Sequence, residues 1–481
     1  MTLGENVQVF VRNAAGDPVD ITDYVRYRRT DLGAYAGRST ELDQIGAGRM
    51  QLGLDNSSGI FTPGRSGASL QLTLGMPISV TETLGYRTFQ LFSGFLELPD
   101  VTEDLEGVDN LIAVNAVDRK QLLDNGRTFI STLGAHIVGS PTLRCYYPLN
   151  ETAGPWRDVV GKGAPFYLNL SRSSAVTVNT GMPAYTAGGG TQIAGDDIQG
   201  VRFDPTFADL GAGFNQVVEG WQIIADFQLG VAAADRPQFT SSEAITFIVW
   251  VAINGTPDHM DIMNFDLWDL ALTEAATTLV YRVMDHATMG ANAGLLYGQV
   301  QDVFAAGTLD GDVKSTNKWV PAREVMVPVG IQITFGQAKL WLADQEYTAA
   351  LTGSPSSPQQ VFGNVNLGQL AGSLAHFQIH TGAPSAFTHA DFLEQYRVGL
   401  SGMAGDRTDE RIARILRYVS PTTAVPAQLD AGCTYMQIAS LAGKKPGQAI
   451  DDAVDTERGR FFVAGDGVSR FHSRVRTHYN L

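Results

Sequence analysis

The chain has 481 residues, enough for about three domains that each bury a core of their own. Only 17% of the residues are charged and 52 are glycine, a balance that favours β-rich structure with many turns over helical bundles. The formal net charge of −16 excludes a sequence-independent grip on nucleic acid, which needs phosphate-neutralising Lys and Arg, but it does not exclude DNA passing through a ring of such subunits.

No apolar run reaches about 18 residues, so no membrane span is expected. The opening Met1–Asn13 has no basic segment followed by an apolar run, so no signal peptide is expected and folding in a cytoplasm is. Cys145 and Cys433 lie far apart without metal spacing and read as two small buried hydrophobes.

Residues 1–135 read as a β domain, a small antiparallel barrel or sandwich. Val7, Val9 and Val11 alternate, and Asn13 to Pro18 turns the chain. Met50, Leu52 and Leu54 alternate with Gln51 and Gly53, which puts one apolar face on a strand. Asp55-Asn56-Ser57-Ser58-Gly59 is turn chemistry, Phe61 is placed to plug back beneath it, and Pro63 stops ladder pairing. Strands follow at Met76–Val80, Phe89–Leu98 and Leu111–Asp118, the last with Leu111, Ala113 and Asn115 on one face. Arg119–Leu123 predicts a short helix at the domain exit, and residues 124–144 read as a linker.

Residues 140–397 read as a second β domain, a jelly-roll sandwich. An aromatic strand ends at Pro148-Leu149. Further strands are expected at Trp221–Leu229, Ala244–Ile253, Met260–Leu270, Thr278–Met284, Val329–Phe335 and Lys339–Leu342. Leu374–His380 closes the domain, with a helix over Phe387–Tyr396 behind it. Residues 400–481 change character to a small α+β helix-hairpin module. Ile412, Ile415, Leu416 and Val419 stripe a helix over Thr408–Val419, which Asp406 or Thr408 can cap. Ala449, Ile450, Ala453 and Val454 stripe a second over Pro446–Glu457, with Gly459 in the place of a C′ glycine. Phe461–Val463 and Val468–His472 then form a hairpin about Ala464–Gly467.

Catalytic chemistry finds little support. A glycosidase needs two carboxylates across a sugar. The best stretch, Asp261–Asp269, has no Glu, and its acids read as solvent-facing, so the chain is expected not to be an enzyme. His376 and His380, four apart on a strand and so on one face, with His389 nearby in sequence, would need a third ligand converging from elsewhere to bind a metal, and they read as surface or packing histidines. Asp196-Asp197 and Asp310-Gly311-Asp312 are acidic turns. Ca²⁺ is the ion they would take given three or more further oxygens, and otherwise they are solvated; no cofactor is expected. Trp156, Trp268, Trp319 and Trp341 are the candidates for an aromatic platform under a sugar ring, against the plainer reading that they fill the core.

Arg38, Glu41, Leu42, Asp43, Ala47, Gly48, Leu52, Leu54, Asp55, Asn56, Gly59, Phe61 and Pro63 stand in an order that resembles the opening domain of siphophage minor tail proteins of the tail-tip hub or distal-tail family, of the actinobacteriophage type. Ala449, Ala453, Asp455, Glu457, Gly459, Arg460, Phe462, Val463, Asp466, Gly467, Phe471 and Arg474 resemble the helix-plus-hairpin of tail hub proteins. Between them, Leu143–Gly154, Phe362–Gly368 with Leu374–His380, and Phe387–Tyr396 resemble concanavalin A-like (laminin-G-like) domains. The resemblance implies a virion protein at the tail tip that assembles with itself as a trimer, or as a hexamer in a distal-tail ring. It implies contacts with distal tail and tape measure proteins and attachment to host-surface glycan. The chain stops where hub relatives continue into a second barrel, which another chain would supply.

Overall fold

The computed structural model describes residues 6–13, 15–26, 33–35, 45–61, 70–97, 100–102, 111–151, 154–168, 179–183, 199–203, 206–209, 215–219, 222–227, 238–240, 242–253, 259–269, 275–284, 295–301, 311–318, 326–334, 336–351, 359–368 and 372–479. The chain is mainly β, with antiparallel sheets and few helices. It divides into two compact units. One gathers Met1–Phe129, Ala404–Gln437 and Gly443–Leu481; the other gathers Ile130–Met403 and Ile438–Ala442. Of the module expected from residue 400 onward, most therefore groups with the N-terminal strands, and 438–442 groups with the sandwich.

The first unit is built on one curled sheet. Its strands neighbour one another in the order Pro18–Asp20, Val7–Arg12, Pro77–Leu84, Arg87–Leu96, Leu111–Val117, Arg49–Asp55 and Gly33–Tyr35. Val7, Val9, Val11, Met50, Leu52 and Leu54 point into its core, as their period of two requires. The face of Leu111–Val117 that enters the core is Ile112, Val114 and Ala116, not that of Leu111, Ala113 and Asn115. With a period of two, a shift of one residue exchanges the faces.

The turn after Leu54 closes as its residues predict. The Ser57 N–H donates to Asp55 Oδ1, and Gly59, at φ +70°, donates to the Asn56 carbonyl. Asn56 Oδ1 accepts the Phe61 N–H at 3.1 Å, and the fully buried Phe61 ring meets Tyr24 edge-on at 5.2 Å. Pro63 lies outside the described residues.

Helices Arg119–Asp124 and Pro446–Glu457 pin the first and last of this unit's three chain segments together. Asp118 caps Arg119–Asp124 by accepting the Lys120 N–H. Lys120 is buried and donates to Asp124 at 2.7 Å and to Asp451 of helix Pro446–Glu457 at 3.1 Å. A Cβ on Gly447 would run into Asp124, so glycine is what lets these helices approach. Helix Thr408–Val419 has the predicted bounds but not the predicted cap. Arg407 is its N-cap; Thr408 is buried against Glu457 and Asp406 pairs with Arg414. Likewise Arg458, not Gly459, takes the left-handed conformation (φ +57°) after Glu457. Gly459 is needed for a different reason: a Cβ there would lie 2.7 Å from the His472 carbonyl and from the Phe471 ring.

The second unit is a two-sheet sandwich. One sheet orders Tyr167–Leu168, Gln222–Asp226, Gln359–Gly368, His259–Asp269, Ala275–Met284, Leu295–Gln301 and Gly311–Lys318. The other orders Asn179–Pro183, Gln199–Phe203, Gly372–Gly382, Ala244–Ile253, Val327–Ile333, Gln337–Leu342 and Gln345–Ala350, with Leu143–Tyr147 also pairing Gly372–Gly382. Tyr147, Phe247, Ile331, Phe377, Val365 and Leu367 fill the space between the sheets. The stretch expected as a linker holds a helix, Thr132–Val138, capped by Ser131 and almost wholly buried. At seven residues, with Thr and Gly inside it, its propensity is too weak to announce it; burial supplies what the sequence lacks.

Candidate binding cleft

Of the residues singled out in the sandwich, Trp156, Trp341, His376 and His380 are core residues, while His389 is half-buried and stacks on Trp341. Trp156 is 1% exposed and donates from Nε1 to the Glu151 carbonyl. Trp341 is 0% exposed, packs on Phe392 and Phe387, and donates to Glu346 at 2.8 Å. Neither offers a face to a sugar. Trp319 lies outside the described residues; Trp268 lies on the strand His259–Asp269, its side chain outside them. So do Asp196, Asp197 and Asp310, while Asp312 is placed only as part of the strand Gly311–Lys318. Register shifts at Asp261/Met263 and Leu267/Trp268 interrupt the alternation of the strand that carries Asp261, Asp266 and Asp269.

His376 and His380 share a face, as their spacing predicts, but it is a buried one under helix His389–Ser401. His376 Nδ1 and the Tyr146 hydroxyl are 2.7 Å apart. His380 meets Thr142 through Nδ1 and Gln378 through Nε2. Burial pushes His380 down to about 3, so it is a neutral packing group. Among the described residues no group of three or more His, Cys, Asp or Glu could hold a metal ion. Cys145 is buried as expected; Cys433 is exposed, because the segment around it runs along the outside of helix Thr408–Val419.

A cleft lined by described residues lies in the first unit. It encloses about 600 Å³, a volume in the range of ligand sites. Arg460, Phe462, Val463 and His472 of the C-terminal hairpin form one wall, and Leu91–Ser93 forms the other. Ile45, Gly46, Gly48, Asp118 and the turn residues Ala464 and Gly465 complete the lining. The hairpin pairs Arg460 with His472 and Phe462 with Arg470, which puts these four side chains on one face. Phe462 and His472 meet edge-on at 5.0 Å. Phe461 and Phe471 on the other face are buried. The turn Ala464–Gly467 seats against the opposite wall so closely that a Cβ on Gly465 would lie 2.5 Å from the Gln90 carbonyl. Arg119 reinforces this contact by donating to the Gly467 carbonyl at 3.0 Å.

Arginines gather on the hairpin side of the cleft. Burial, then Arg476, Arg470 and Arg460, lower the His472 pKa against the pull of Asp430. Asp118, the one acid in the lining, already accepts the Gly48 and Lys120 N–H groups, and burial raises its pKa. Sequence reading placed the hairpin but missed the cleft. The available signal was compositional: between Arg458 and Arg476 five arginines stand with one acid, Asp466, in a chain of net charge −16.

No family model and no curated protein matches the chain. Solved structures similar in strand arrangement include domain 4 of AbnA, an extracellular arabinanase of Geobacillus stearothermophilus, at 11% identity and TM-score 0.29, covering 53% of this chain and 98% of that one. The binding domain of botulinum neurotoxin serotype G follows at 9% identity and TM-score 0.30, covering 55% and 53%. Trypanosoma rangeli sialidase is similar at 11% identity and TM-score 0.30, covering 82% and 59%. The chain thus spans little more than half the length of the latter two. At these scores the likeness carries no inference about function.

Proposed function

We propose that the chain is a non-enzymatic structural protein of a long-tailed bacteriophage virion, a minor tail protein at the tail tip. One observation carries this reading. The two segments that resemble tail proteins, within 38–63 and 449–474, lie at opposite ends of the chain, yet both belong to the same compact unit, with the sandwich inserted between them. In this reading the first unit assembles with copies of itself, as a trimer, and with distal tail and tape measure proteins, while the sandwich serves attachment to host-surface glycan.

Electron microscopy of intact particles tests the structural part. Three copies closing the tube below the tail are expected. Six copies above it would make the protein a distal-tail ring instead, and particles lacking the chain would overturn the reading. Binding of the full chain to host envelope polysaccharide tests the attachment part; no binding would remove glycan from the proposal and leave the tail role standing.

A further inference from the structure

We propose that the cleft beside the C-terminal hairpin docks an extended acidic segment of a partner polypeptide, which pairs as an added strand with the open edge of Arg460–Val463. The first argument is the edge itself. In the small sheet formed by Ala427–Leu429, Ser469–His472 and Arg460–Val463, the last is an outer strand with a partner on one side only among the described residues. Adjacent residues of an antiparallel strand turn their N–H and C=O groups alternately toward and away from the partner. The Ala464 N–H donates to the Val468 carbonyl, so Phe462 and Arg460 exchange bonds with the neighbouring strand, and Phe461 and Val463 turn their main-chain groups outward. Such a row of unpaired groups is a template for another strand.

The opposite wall has a similar opening. The strand Arg87–Leu96 pairs with Pro77–Leu84 along most of its length, but with Leu111–Val117 only at Phe95 and Leu96. Over Leu91–Ser93 no strand pairs with its second edge among the described residues; the hairpin turn packs there, Gly465 against Gln90 and Leu91 and Gly467 against Ser93, and the Gln90 side chain donates to the Phe92 carbonyl. Gly46 and Gly48 line the cleft without side chains, which leaves room for a second backbone.

The charge selects the occupant. Arg470 is paired with Asp466 and Arg476 with Asp430. Arg458, Arg460 and Arg474 have no carboxylate within 4.0 Å among the described residues, and the register brings Arg460 beside His472, two residues before Arg474. A strand laid along Phe461 and Val463 would place alternate side chains over this face. Carboxylates there complete the pairing that the described residues do not supply, while Phe462 covers the aliphatic part of the segment.

The test uses the full chain and a fluorescein-labelled decapeptide of alternating Val and Glu, read by anisotropy, beside a Val/Lys decapeptide and a ten-nucleotide oligo-dT. The Val/Glu peptide is expected to bind saturably and the Val/Lys peptide not at all. Arg460→Glu should weaken binding at least tenfold. Val463→Pro, which removes an outward N–H from an edge position that tolerates proline, should weaken it comparably. Unchanged thermal unfolding of both variants shows that the fold is intact. Binding that falls with Arg460→Glu but survives Val463→Pro would overturn strand pairing. No binding of the Val/Glu peptide, or Arg460-dependent binding of oligo-dT in its place, would overturn the acidic-peptide assignment.

Discussion

His380 shows what a single buried side chain does to this protein. In the unfolded chain a histidine takes up a proton near 6.5; in the fold His380 does so only near 3. Between these values the unfolded state binds the extra proton, so stability is complete above the unfolded value and is lost as pH falls toward the folded one. At pH 5 the loss is about 2 kcal/mol. The urea midpoint of the sandwich should therefore fall between pH 7 and pH 5, and His380→Gln should flatten that slope. Glu457 behaves with the opposite charge type. Burial raises its pKa, but hydrogen bonds from Thr434, the Cys433 N–H, Thr408 and the Arg474 N–H outweigh this and hold it below the usual carboxylate range. Its contribution is present above about 4.5 and lost as pH falls through the lower folded value. Glu457→Gln puts an amide donor where the Cys433 and Arg474 N–H groups need an acceptor, and should cost about 1–3 kcal/mol in chemical denaturation.

Elements differed in how plainly they were written in the chain. Helix Pro446–Glu457 was legible to the residue, because its apolar stripe, its N1 proline and the hairpin after it agree. Arg458 in the left-handed position was not, since a nearby glycine is the usual occupant and Gly459 is there for packing instead. The tryptophans were ambiguous because an aromatic residue on a strand reads the same whether it faces a core or a ligand; Trp341 is settled by Phe392, a residue of a helix behind the sheet. The cleft was illegible because its walls come from Leu91–Ser93 and Arg460–Val463, which only the fold brings together. The joint between helices Arg119–Asp124 and Pro446–Glu457 gives a direct test of element packing. Lys120→Ala leaves Asp451, whose pKa burial already raises, without its buried cation. A loss of about 2 kcal/mol is expected, below the full value for a buried pair because both acids are about one-third exposed. Gly447→Ala should also destabilise, although alanine favours a helix, because its methyl would meet Asp124. Loss in both variants, measured as unfolding midpoints, identifies the joint; a stabilised Gly447→Ala would refute the close approach.

At the scale of the whole molecule, the first unit is discontinuous: its N-terminal sheet waits for segments beyond residue 404. The sandwich is nearly complete by Met403. A chain ending at Met403 should therefore keep a protease-resistant sandwich, while 1–129 is digested for want of Asp451 and the hairpin. Equal resistance of both parts would show that the N-terminal sheet stands alone.

The chain passes between its two units four times, and the passages are tied in pairs on the side of the first unit. Phe129 donates to the Lys444 carbonyl and accepts from the Gly443 N–H. Met436 accepts the Gly405 N–H and donates to the Asp406 carbonyl. The five residues 438–442 belong with the sandwich, where the Thr132 hydroxyl donates to the Ala439 carbonyl and accepts the Leu441 N–H. An exchange of the sandwich for a foreign domain is thus not a single transplant at 130–403. It would strand 438–442 beside a stranger, so a viable recombinant has to replace both pieces together. Natural shuffling at this locus should leave that mark: where the large insert differs in kind, the short return segment should differ with it.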